Sequence, residues 1–127
     1  MTSLVHSSTN IGYTGELISV ECDLANSISG IIIVGLGAKA IDESRERIRS
    51  AIKNSGLNMP KKKATLNLAP ADLPKDGTSY DLPMAISILV AAGEIDNNEL
   101  VRKSSFIGEL SLDGSIRPAK GIISHIQ

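Results

Sequence analysis

The stretch "IIIVGLGAKAIDESRERIRSAIKNSG", Ile31–Gly56, changes its hydrophobic period part-way, and that change decides the fold. "IIIVG" is β-branched and continuously apolar, as expected of a strand covered on both faces. From Ala40 onward the apolar residues Ile41, Ile48, Ala51 and Ile52 recur at helical spacing. Charged residues fill the positions between, with Glu43 and Arg47 set to pair at i,i+4. Asn54-Ser55-Gly56 stops the helix. The next segment, "KKKATLNLA", alternates, with Ala64, Leu66 and Leu68 on one face. A strand, a helix and a strand in succession place the chain in the α/β class.

Working outward, "ELISVECDL" (Glu16–Leu24) puts Ile18, Val20, Cys22 and Leu24 on one face and Ser19, Glu21 and Asp23 on the other. That is a half-buried strand. "LVHSSTN" before it reads as a weaker strand, and "ANSISG" after it as a turn. Downstream, "PADLPKDG" is a loop and "YDLPMAISILVAAG" a second helix. Asp81 is its expected N-cap, Pro83 fits the first turn, and Gly93 ends it. "EIDNNELVRKS" is a connector with room for one helical turn. "SFIGELSLDGSIRPAKG" reads as a hairpin, with Asp113-Gly114 suited to a two-residue type I′ turn. The order is β-β-β-α-β-α-β-β. It implies a single two-layer domain over 1–127, with one mixed sheet of about five to six strands and two main helices.

Apolar residues make up 42% of the chain, enough for a core, but aromatics only 2%, so that core is aliphatic. The net charge of −1 excludes a chain built to coat nucleic acid over its whole surface. Cys22 is the single cysteine, which excludes an internal disulfide and a cysteine-rich zinc site. The N-terminus lacks the pattern of a secretory signal, and no apolar run is long enough to span a bilayer. These features together read as a cytoplasmic protein without a membrane partner.

"GLGAKA" (Gly35–Ala40) has the spacing G-x-G-x-x-A between a strand and a helix. A dinucleotide site would also need an acid after the next strand, about 20 residues on. That stretch is basic, and Asp42 and Glu43 would repel a pyrophosphate. The favoured reading is a tight turn that needs glycine. His6 and His125 stand alone, and Asp72 and Asp76 share only a loop, so no metal site is assigned. Arg45, Arg49 and Lys53 recur every four residues and form one stripe, with Lys61, Lys62 and Lys63 nearby. A solvated face is the default for such a run; a DNA or subunit contact is the alternative.

Three blocks carry a family resemblance: "VGLGAKAIDESRERIRSAIKNSG", "TLNLAPADLPKDGTSYDLPMAISIL" and "FIGELSLDGSIRPAKGI". In this order they resemble the N-terminal domain of magnesium-chelatase-like AAA+ ATPases, the group that includes the ComM/YifB-type competence proteins. The resemblance implies a ribosomal-protein-S5-domain-2-like fold, shared with the proteolytic domain of Lon. It implies a non-catalytic accessory domain in a hexameric ring, partnered by its own AAA+ module and by neighbouring subunits. DNA is the implied substrate, with helicase or branch-migration activity in natural transformation. ATP and magnesium belong to the AAA+ module; no Walker A motif occurs in these 127 residues, so no cofactor is assigned here. The family reads V-G-L-P-D where this chain has Val34-Gly35-Leu36-Gly37-Ala38, so the acid that could cap the following helix is absent.

The alternative is an enzyme. "PKDGTSYD" resembles the segment around the Lon catalytic serine and places Ser79 at the nucleophile's position. A serine needs a base. Lys120 is the candidate, but it falls earlier than the Lon lysine would. Asp81 would set a negative charge beside a developing oxyanion, the wrong sign for stabilising it. Ser79 and Lys120 therefore stand as weak catalytic candidates.

Overall fold

A computed structural model describes residues 2–11, 14–69, 80–106 and 108–117. The sheet grows from a long hairpin. Strands β1 (Thr2–Ile11) and β2 (Thr14–Ala25) pair antiparallel along their whole length, from Thr2 opposite Asp23 to Ile11 opposite Thr14. β3 (Gly30–Val34) does not pair with β2. It lies beyond β4 (Lys63–Ala69), which it joins in parallel, while β4 pairs antiparallel with β2. The order is β1-β2-β4-β3, a mixed sheet. A bridge from His6 to Ser105 extends it by one residue beyond β1. β5 (Glu109–Leu110) and β6 (Ile116–Arg117) form a separate hairpin, and Leu110 carries it into the core. The six expected strands are thus divided between a mixed sheet and a small hairpin.

α1 (Ala38–Asn54) carries the chain from β3 back to β4, and α2 (Asp81–Ala91) packs on β1 and β2. α3 (Glu99–Lys103) is the single turn expected of the connector, capped by Asn98, whose side chain accepts from the Val101 N–H at 2.9 Å. One layer of helices lies on one face of the sheet. The core takes Ile18, Val20 and Cys22 from β2, Ala64, Leu66 and Leu68 from β4, and Ile48, Ala51 and Ile52 from α1. Each large aliphatic side chain in this layer contributes about 1.5–3 kcal/mol of burial. Two buried serines of β1 tie the strand to its cover: Ser3 Oγ donates to the Ser87 carbonyl at 2.7 Å, and Ser7 Oγ to the Phe106 carbonyl at 2.9 Å.

Three local expectations are corrected. β3 is covered on one face only: Ile31 and Ile33 are buried, while Ile32 and Val34 are 40% and 51% exposed. It is an edge strand on a sheet with one helical layer, and its apolar run does not report two-sided burial. Asp81 does not cap α2. Tyr80 holds the N-cap position without capping the helix through its side chain, and Asp81 sits in the first turn with its carboxylate turned to α1. The final hairpin is not closed by a two-residue type I′ turn, because Asp113 does not take the positive φ that turn requires. Three residues, 112–114, make the loop. Gly114 N–H donates to the Ser111 carbonyl and Ser111 N–H to the Ser115 carbonyl, both at 2.9 Å, and Gly114 alone is left-handed, at φ +93°.

Candidate nucleic-acid interface

Lys63 opens β4 and has Ala25 of β2 on one side and Gly30 of β3 on the other. The turn at 26–29 must therefore arch across the entry of β4, over the Lys61–Lys62–Lys63 run. Its base is fixed by the Gly30 N–H, which donates to the Lys62 carbonyl at 3.4 Å. α1 runs back along the same side, because the crossover from β3 must return to the start of a parallel neighbour. The result is a groove of about 670 Å³ between turn and helix, lined by Ser27, Ile28, Ser29, Arg45, Arg49 and Lys63 among others. A smaller hollow beside it shares Ser29, Gly30 and Arg49 and adds Lys61. Lys53, one helical turn beyond Arg49, lines neither.

The two arginines reach the groove with local partners. Arg45 pairs with Asp42 and lies 3.4 Å from the Ile31 carbonyl; Arg49 Nη1 lies 3.2 Å from Glu46 Oε1. Both pairs are exposed, and such pairs are worth about 0–1 kcal/mol. They can exchange Asp42 or Glu46 for an incoming anion at little cost. A guanidinium offers a planar fork that matches phosphate, and a lysine a point charge. The groove can therefore hold a run of phosphates on cations from α1 and from the entry of β4.

The third arginine of α1 behaves differently. Arg47 Nε binds Asp81 Oδ2, and Arg47 Nη2 lies 3.2 Å from Ser44 Oγ. Asp81 is fully buried, and burial pushes its carboxyl above the ordinary range, while hydrogen bonds from Arg47 and Ser44 pull it back and Glu109 adds a further upward push. The negative charge next to Ser79 in sequence is thus compensated from α1. Sequence reasoning missed this pair. Its one signal is an aspartate at the head of an otherwise apolar helix.

The other candidates separate cleanly. Gly35 is required: its φ is +110°, and a Cβ there would stand 2.9 Å from the Leu68 carbonyl oxygen. Gly37, the second glycine of the dinucleotide-like spacing, has ordinary angles and open space around it. α1 begins at Gly37 without a side-chain cap, as the missing acid implies. Cys22 is buried, and burial pushes its thiol up to about 12, which keeps it out of nucleophilic chemistry near neutral pH. Among the described residues no three His, Cys, Asp or Glu side chains converge on a metal-sized site, and no helix is long and apolar enough to cross a membrane. Ser79, Lys120, His125, Asp72 and Asp76 lie outside the described residues.

The family described as subunit ChlI of Mg-chelatase matches residues 20–127. The chain belongs to the magnesium-chelatase-like family. Among its relatives in that family is YifB of Escherichia coli K12, 44% identical over 122 residues, which are 96% of this chain and 24% of YifB. Competence protein ComM of Haemophilus influenzae is 40% identical over 124 residues, 98% of this chain and 24% of ComM. The chain spans about a quarter of the length of these magnesium-chelatase-like relatives.

Proposed function

We propose that this chain is the non-catalytic N-terminal accessory domain of a hexameric magnesium-chelatase-like AAA+ ATPase that acts on DNA. In this reading the groove at the entry of β4 is its contact with the phosphate backbone. The likeness to a competence protein supports the DNA assignment. The fourfold greater length of the relatives leaves room for the ATPase module, which would bring ATP and magnesium and supply the ring contacts. One observation carries the reading: Arg45 and Arg49 of α1 and Lys63 of β4 line one groove, with Lys61 in the adjoining hollow, and these cations outnumber the groove's two acids, Asp42 and Glu46, although the chain as a whole is slightly acidic. Cations gathered against the net charge are the footprint of an anionic partner.

Salt-dependent binding tests this. Fluorescence anisotropy of a labelled duplex is titrated with the full-length protein from low to physiological salt. Each phosphate contact adds about 0.9 to the slope of log K against log salt. Replacing Lys61 and Lys63 together with Ala is expected to lower that slope by about 2. An unchanged slope would remove the groove from DNA binding.

A further inference from the structure

Ile28 is 90% exposed, more than any other large apolar side chain described. It stands on the arching turn between Ser27 and Ser29, in the same groove as Arg45, Arg49 and Lys63, with Lys61 in the adjoining hollow. Topology puts it there. β2 and β3 are separated by β4, so their connection passes outside the end of the sheet and leaves Ile28 uncovered. An exposed isoleucine alone carries no meaning. This one shares its groove with Arg45, Arg49 and Lys63, which together with Lys61 next door outnumber the groove's two acids, Asp42 and Glu46, both held in exposed pairs that an incoming phosphate can replace.

Proteins that deform duplex DNA combine these two elements. An aliphatic wedge enters a base step and unstacks it, while arginines and lysines beside it hold the backbone of the kinked duplex. Single-strand binders use aromatic platforms instead, and none lines this groove. Resting on the DNA reading above, we infer that Ile28 inserts between base pairs of duplex DNA while Arg45, Arg49, Lys61 and Lys63 hold the flanking phosphates. The two serines bracket the wedge with hydroxyls that suit sugar and phosphate oxygens. Flexible pyrimidine–purine steps, which unstack at least cost, are the preferred targets.

The test uses the full-length protein without nucleotide and a duplex carrying 2-aminopurine at a TA step. Unstacking raises the fluorescence of this base. Wild-type protein is expected to raise it, Ile28→Leu to keep the rise, and Ile28→Ser to abolish it, with binding about tenfold weaker. The salt slope of Ile28→Ser should equal that of wild type, because no charge is removed. A rise that persists in Ile28→Ser overturns the wedge, as does an equal loss of affinity for single-stranded oligonucleotide. These outcomes leave the phosphate contacts standing. An unchanged slope in the Lys61/Lys63 variant removes those contacts and the wedge with them.

Discussion

α1 carries three arginines within five residues, and two of them differ from the third in everything but chemistry. Arg45 and Arg49 face the groove and pair with acids of their own helix, one turn away and in water. Arg47 turns the other way and holds Asp81, 34 residues distant and sealed from solvent. Identical guanidinium groups are exchangeable on one face of the helix and fixed on the other. Solvent makes the difference. An exposed pair gains little because water screens it, whereas a buried carboxylate stripped of its partner keeps the whole cost of its desolvation.

The largest effect should come from breaking the buried pair on one side only. Arg47→Ala is expected to cost about 3 kcal/mol, read from denaturant midpoints, because it strands the Asp81 charge in the core. Replacing both partners, Arg47→Met with Asp81→Leu, should recover most of that loss, since a matched apolar pair removes the desolvation cost as well as the attraction. A double variant no more stable than Arg47→Ala would mean that the pair is not the reason for the loss.

The pH dependence of the same site has a definite sign. The folded-state carboxyl of Asp81 titrates above its unfolded value of 3.8. Its contribution to stability is then fully present below that value and is lost as pH rises through the folded pKa. The stability of the native protein minus that of Asp81→Asn should accordingly be greatest in acid and decline toward neutral pH. Denaturation series at several pH values measure it, and a difference that grows with pH would contradict the assignment.

The exposed face should respond in binding and hardly in stability. Arg49→Ala is expected to change stability by less than about 1 kcal/mol while lowering the salt slope of DNA binding by about 0.9. The smallest effect belongs to the counter-ion. Glu46→Gln releases Arg49 from its pair and should tighten DNA binding a few-fold at low salt, with stability shifted by about 0.5 kcal/mol or less. Weaker binding in Glu46→Gln would show that Glu46 positions Arg49 instead of competing for it.

The elements themselves were legible from residue pattern. Ile18, Val20, Cys22 and Leu24 alternate because one face of β2 is wet, and they are buried together. Gly35 was readable as a turn glycine from its place between a strand and a helix, and its φ of +110° and the close approach of Leu68 agree with that. The error at β3 shows the limit: an apolar run gives no sign of how many layers will cover it. The error at Asp81 has the same origin, since an aspartate at a helix start suits an N-cap as well as an ion pair, and only the placement of α1 separates them. The cations of the candidate site were readable as charges at helical spacing, but not as the wall of a groove.

The sequence by itself determined the succession of strands and helices and the aliphatic face of each, because side-chain period and turn chemistry act over a few residues. Tertiary structure decided which strand lies beside which, and with it three further outcomes. β3 passes over β4 to the sheet edge, Ile28 is left in solvent beside the lysine run, and Arg47 meets Asp81 while its neighbours face water. Those outcomes depend on contacts between residues tens of positions apart, which no local period encodes.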